Sequence, residues 1–229
     1  MELCVALDLP TAQSNLKLVK SLKDHDIWLK VGLRSFIRDG EALLKEIKAI
    51  NPKFKLFLDL KIYDIPNTMA DAAESMANLG VDMFNVHASS GKIAMSGVMK
   101  RLAHLEHPPL VLAVTALTSF DEKNFYSIYN ETIEEKAEKF AKDAYESGLN
   151  GVVCSVFESR MIKSKTDPNF ITLTPGIKID HDRQDDQKRV ATLELAQSEQ
   201  SNIIVVGRPI YNSNDPLGVV ENILKRIQA

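Results

Sequence analysis

Phe54-Lys55-Leu56-Phe57-Leu58-Asp59-Leu60-Lys61-Ile62-Tyr63-Asp64 opens as a short apolar run and closes in charge. Residues 54–60 have the length and the apolar character of a buried strand. In a strand, residues i and i+2 point to the same face, so Asp59 and Lys61 project together. Asp64 follows in the loop. Ile65-Pro66-Asn67-Thr68 then turns the chain into a helix that Asn67 or Thr68 can cap.

The same kind of run recurs along the chain. Residues 3–7, 27–31, 83–86, 110–114, 151–153, 170–173 and 203–206 bring the candidate strands to eight. Helical spacing fills the gaps. Met69, Ala72, Ala73, Met76 and Leu79 share a face that Gly80 closes. Ile133, Ala137, Phe140 and Ala144 share another, with Thr132 and Glu135 placed as a capping box and Gly148 as its stop. Strands alternating with helices pair in parallel through right-handed crossovers. Eight such units in 229 residues predict a closed (β/α)8 barrel, one domain spanning residues 1–229. Neither a GxGxxG fingerprint nor a Walker loop is present. Residues 178–189 are almost entirely polar and follow Thr174-Pro175-Gly176. In a barrel they form a long loop on the active face, where such loops act as lids.

Composition narrows the partners. The chain is 45% hydrophobic and 26% charged, enough apolar content for a normal core, and its net charge is −3. That balance argues against a nucleic-acid or membrane-surface partner, which calls for a basic patch. No apolar run approaches a membrane span. Cys4 and Cys154 sit in apolar runs and are expected to be buried free thiols, which fits a reducing cytoplasm.

Charge at the strand ends points to chemistry. Asp8 closes the first strand, Lys30 sits near the end of the second, and Asp59 and Lys61 end the third. The C-terminal rim of a barrel is where catalytic groups gather. Two lysines and two aspartates there are costly unless paired or used. An ammonium beside a carboxylate stays protonated, so Lys61 can donate a proton and stabilise an adjacent carbanion. At the other side of the rim, Gly207-Arg208 follows strand eight and Pro175-Gly176 follows strand seven, the usual place for a phosphate. No spacing of His, Asp and Glu suggests a metal ligand set. His87 at a strand end is a weaker site candidate. The other four histidines are expected at the surface.

Asp59-Leu60-Lys61-Ile62-Tyr63-Asp64-Ile65-Pro66-Asn67-Thr68 resembles the DxKxxDIPxT signature of the orotidine 5′-phosphate decarboxylases. Val5-Ala6-Leu7-Asp8, Leu29-Lys30-Val31-Gly32, Asn85-Val86-His87-Ala88, Leu117-Thr118-Ser119, Thr174-Pro175-Gly176-Ile177 and Val206-Gly207-Arg208 resemble other family segments, in the right order. The resemblance implies a homodimer of barrels with sites at the subunit interface, working without cofactor or metal. It implies a Lys30, Asp59, Lys61, Asp64 array in which Asp64 reaches the partner's site and Lys61 protonates C6 of the substrate. Asp8, Lys30 and the partner's Thr68 would hold the ribose. Ile65 would join the substrate contacts, Thr118 and Ser119 would flank the pyrimidine, and Gln187, Gly207 and Arg208 would grip the phosphate. Bacterial members often carry arginine where this chain has Lys178, which keeps the charge but loses the bidentate fork. Arg183 lies nearby in sequence and could compensate.

Other readings are weaker. A sugar-phosphate decarboxylase or synthase on the same barrel shares Asp-x-Lys-x-x-Asp but uses Mg²⁺, and the Ile-Pro-Asn-Thr continuation argues against it. A Schiff-base aldolase needs a neutral lysine, which acids beside Lys61 oppose. A non-catalytic phosphate-binding barrel predicts binding without turnover.

Overall fold

The computed structural model describes residues 1–179 and 189–228. Eight parallel strands close on themselves in chain order. They are β1 (Glu2–Ala6), β2 (Trp28–Gly32), β3 (Lys55–Ile62), β4 (Met83–His87), β5 (Leu110–Val114), β6 (Gly151–Val153), β7 (Ile171–Thr174) and β8 (Ile203–Val206). The ring closes where β1 pairs with β8, from Glu2 opposite Ile203 to Val5 opposite Val206. The expected strands are all present, with bounds shifted by no more than two residues.

Helices wrap the outside. They are α1 (Ala12–Ser21), α2 (Leu33–Ile50), α3 (Pro66–Asn78), α4 (Gly91–Leu102), α5 (Glu122–Tyr129), α6 (Ile133–Glu146), α7 (Val156–Lys165), α8 (Leu193–Ser198), α9 (Arg208–Tyr211) and α10 (Pro216–Gln228). Among the described residues no helix is long and apolar enough to cross a membrane. The capping box of Thr132 and Glu135 opens α6 as expected. The start of α3 differs from expectation. Its N-cap is Ile65, whose side chain cannot cap, and Pro66 takes the first turn, so neither Asn67 nor Thr68 caps it. Proline suits that position, because its missing N–H would be an orphan there in any case. Gly80, at φ 72°, turns the chain away after α3.

Strand parity decides what lies inside the ring. Cys4, Ala6, Trp28, Phe57, Met83, Leu112, Val114, Val153, Leu173, Ile203 and Val205 fill the barrel interior as one cluster. Their neighbours, among them Val5, Leu29, Leu58, Phe84 and Val86, face outward into the larger layer beneath the helices. One further step of two along three strands reaches Asp8, Lys30 and Asp59. The same alternation that packs the barrel therefore lifts these charges to its mouth.

Candidate active site

A cavity of about 310 Å³ opens at the C-terminal end of the strands. Its wall carries Asp8, Lys30, Asp59 and Lys61. After β7 and β8 the lining continues through Pro175, Gly176, Gly207 and Arg208, and after β5 through Thr118 and Ser119. The volume falls at the small end of the range for ligand sites.

The charged wall is a chain of alternating sign. Lys30 Nζ stands 3.3 Å from Asp8 Oδ2 and 3.3 Å from Asp59 Oδ2. Lys61 Nζ donates to Asp59 Oδ1 at 2.5 Å. Gly32 leaves room for this, since a Cβ there would stand 2.9 Å from Lys30 Nζ and 3.0 Å from Asp8 Oδ1. Lys30 and Asp59 are buried. Burial alone would push the Asp59 carboxyl up, but the charges of Lys30 and Lys61, with hydrogen bonds from Lys61 and Asn85, hold it below its usual range. Burial likewise works against the charged form of Lys30, and the Asp59 and Asp8 carboxylates overcome it and raise its pKa. Each buried charge thus has an opposite partner, the condition under which burial is tolerated.

The expected face-sharing of Asp59 and Lys61 is realised by an unexpected backbone. Lys61 has φ 53°, in the left-handed region. A side chain there costs about 1–2 kcal/mol relative to ordinary backbone. The β3–β4 ladder shifts register at this point, from Leu58 opposite Phe84 to Ile62 opposite Val86. Asn85, fully buried, fills the gap. Its Oδ1 accepts the Lys61 N–H at 2.7 Å and its Nδ2 donates to Asp59 Oδ1 at 2.7 Å. The sequence reading gave Asn85 no role. The available signal was a polar residue two places after the interior-facing Met83.

Other expected residues lie apart from this cavity. Asp64, Ile65 and Thr68 are exposed and do not line it, and Asp64 Oδ1 accepts the N–H of Ile65 at 2.7 Å. Lys178 is exposed and outside the wall. Gln187 and Arg183 lie outside the described residues. Tyr211 and Cys154 line the cavity without having been singled out for it. Cys154 and Cys4 are buried free thiols, as expected. His87 does not line the cavity. Its Nδ1 pairs with Ser89 Oγ at 2.7 Å, and burial and the Lys61 charge lower its pKa. His25 is half-buried rather than exposed, with Nε2 3.9 Å from Glu221. His104 and His107 are at the surface, and His181 is outside the described residues.

Comparison with known proteins agrees with this geometry. The family model described as "Orotidine 5'-phosphate decarboxylase / HUMPS family" matches residues 1–223. A relative from Nitratiruptor sp., named orotidine 5′-phosphate decarboxylase, is 63% identical over 227 residues, covering 99% of this chain and 100% of the relative. One of the same name from Campylobacter jejuni is 59% identical over the same coverage. The crystal structure of orotidine 5′-phosphate decarboxylase from Lactobacillus acidophilus superposes with a TM-score of 0.86 at 34% identity, covering 100% of this chain and 99% of that one. With a family model matched over nearly its whole length and such relatives, the chain belongs to the orotidine 5′-phosphate decarboxylase / HUMPS family.

Proposed function

We propose that the chain decarboxylates orotidine 5′-monophosphate to UMP and CO₂, the last step of de novo UMP biosynthesis, with Lys61 as the proton donor. The observation that carries the assignment of Lys61 is its ammonium held on the buried Asp59 carboxylate at the wall of the cavity. When the bond from C6 to the carboxylate carbon breaks, the electron pair stays on C6 and CO₂ leaves. Lys61 supplies the field that stabilises that charge and then the proton. The buried Asp59 fixes its position, and Lys30 in turn holds the other oxygen of that carboxylate. Preorganisation of this kind acts on the transition state rather than on the bound substrate.

The remaining assignments follow the polarity of the cavity. Asp8 and Lys30 hold ribose hydroxyls, Thr118 and Ser119 flank the pyrimidine, and Gly207 and Arg208 serve the phosphate end; Lys178, exposed outside the wall, and Gln187, outside the described residues, join them by the family resemblance alone. The curated relatives carry the name of the decarboxylase rather than of a Mg²⁺-dependent sugar-phosphate enzyme, which favours the first reading over the second. A cytoplasmic location is proposed with it, in keeping with two buried free thiols.

Asp64, Ile65 and Thr68 belong, on this reading, to the site of a second subunit in a homodimer. What supports it is their exposure, together with that of the adjacent Tyr63. Tyr63 is 65% exposed and Ile65 67%. Exposed apolar groups of this size mark association surfaces.

The test is direct. Purified protein with no added metal is mixed with orotidylate and loss of its absorbance is followed. Turnover is expected, together with its abolition in a folded Lys61→Ala variant. Near-normal turnover in that variant would sink the assignment of Lys61.

A further inference from the structure

We infer that Asn85 is the positioning residue that sets the catalytic geometry of Lys61 and Asp59. The inference rests on the proposed roles of those two groups and deepens them. Between its paired residues Leu58 and Ile62, β3 spends three residues where β4, between Phe84 and Val86, spends one. The one residue is Asn85. Extra residues on one strand leave backbone groups without ladder partners and re-aim the side chains around them. Here the Asn85 side chain takes the place of the missing strand partner. Its Oδ1 accepts the Lys61 N–H and its Nδ2 donates to Asp59 Oδ1, both at 2.7 Å. That carboxylate oxygen is the one that receives the Lys61 ammonium.

The pattern is specific to a short amide. A backbone N–H only donates and an ionised carboxylate only accepts, so the bridging group must accept at one atom and donate at the next. Aspartate offers no donor when ionised, and alanine offers neither group. Asn85 has 0% relative exposure, so water does not substitute for either bond. Lys61 holds a left-handed backbone whose N–H is satisfied by this partner. The same contact therefore fixes where the Lys61 side chain starts, and the other fixes which carboxylate oxygen it meets. Asp59 Oδ2 is left to face Lys30.

The experiment compares Asn85→Ala, Asn85→Asp and Lys61→Ala with wild type, reading kcat, KM and the affinity for UMP. Asn85→Ala is expected to lose about 100-fold in kcat, the scale of a misplaced catalytic group. Its affinity for UMP and its KM should stay within about threefold, because binding and chemistry separate in this way when only the transition-state geometry is lost. Asn85→Asp keeps an acceptor for the Lys61 N–H but sets a second carboxyl against Asp59, and that carboxyl must hold a proton to donate. Its kcat relative to wild type at the same pH should therefore fall as pH rises from about 5 to about 9, because paired buried carboxyls titrate high. A kcat for Asn85→Ala within about threefold of wild type would overturn the inference. So would a loss confined to KM, or a ratio for Asn85→Asp that is flat with pH. If Asn85→Ala does not fold, the Asn85→Asp profile decides alone. Activity surviving in Lys61→Ala is a different failure, of the site assignment itself.

Discussion

Arg189 directs its guanidinium into the interior, onto the carboxylate of Glu158 at the head of α7. The two side chains are 17% and 5% exposed. The Arg189 backbone N–H donates to the Thr118 carbonyl at 3.4 Å, and Glu158 accepts the Ser155 N–H at 3.0 Å. One arginine thus ties the approach to α8 to the loop after β5 and to α7. Burial pushes the Glu158 carboxyl up, against the opposing charge of Arg189. Removing Arg189 leaves a buried carboxylate unpaired, a loss of about 3–5 kcal/mol at neutral pH. Without the arginine the folded-state pKa of Glu158 rises further above its unfolded value, so the folded state takes up the proton first. The destabilisation of Arg189→Ala should therefore shrink as pH falls toward the ordinary glutamate value. Chemical unfolding at two pH values tests this, and an equal loss at both would refute it.

A second pH dependence comes from the array itself. Asp59 is held below its ordinary carboxyl value. A depressed acid contributes stability above its unfolded pKa and loses it as pH falls through the folded one. Wild type should thus lose stability more steeply than Asp59→Asn below about pH 4. Lys30, raised above its ordinary value, contributes below that value and loses its contribution at the alkaline end. Trp28 is the only tryptophan and lies buried in the barrel interior, so its fluorescence reports unfolding in both arms. Parallel acid limbs for the two proteins would count against the proposed pairing.

The barrel was legible in the sequence because its strands are short apolar runs with helical spacing between them, and parity carried Asp8, Lys30 and Asp59 to one rim. What escaped was local. Regular alternation puts Asp59 and Lys61 on one face, and they do meet, yet through a left-handed residue and a register shift. Such a shift is set by how two strands with distant sequence positions align, and a single-strand pattern carries no trace of it. Asn85 is the side chain that makes it tolerable, and a lone asparagine inside Met83-Phe84-Asn85-Val86 reads as an oddity until its partners from β3 are known. Likewise the cap of α3 went to Ile65 rather than to Asn67 or Thr68, because Pro66 claimed the first turn.

Arg208 offers a test of the proposed phosphate end. It lines the same cavity as Lys61, beside Gly207, where a Cβ would come within 3.2 Å of Ala6 Cβ and 3.3 Å of Tyr211 Cε1. A charged hydrogen bond to phosphate contributes about 1.5–3 kcal/mol, or roughly 10–100-fold in affinity. Arg208→Ala should raise KM for orotidylate by about that factor and change kcat less. With orotidine, which lacks the phosphate, wild type and variant should perform alike. An equal penalty on the nucleoside would move Arg208 away from the phosphate.

Asp64 decides whether one chain suffices. Its carboxylate engages the neighbouring Ile65 N–H and does not line the cavity that holds Lys61. In a symmetric dimer with exchanged Asp64 side chains, each site takes Lys61 from one subunit and Asp64 from the other. Lys61→Ala and Asp64→Ala proteins should then each be nearly inactive alone. Mixed and allowed to exchange subunits, half the dimers would pair one of each, and in each such dimer one site has both groups intact. Activity should climb to about one quarter of the wild-type value at equal proportions. Sedimentation under the same conditions should give the mass of two chains. If the mixture shows no recovery while subunits demonstrably exchange, Asp64 does not serve a partner's site. A monomeric protein with full activity would reject the shared-site arrangement outright.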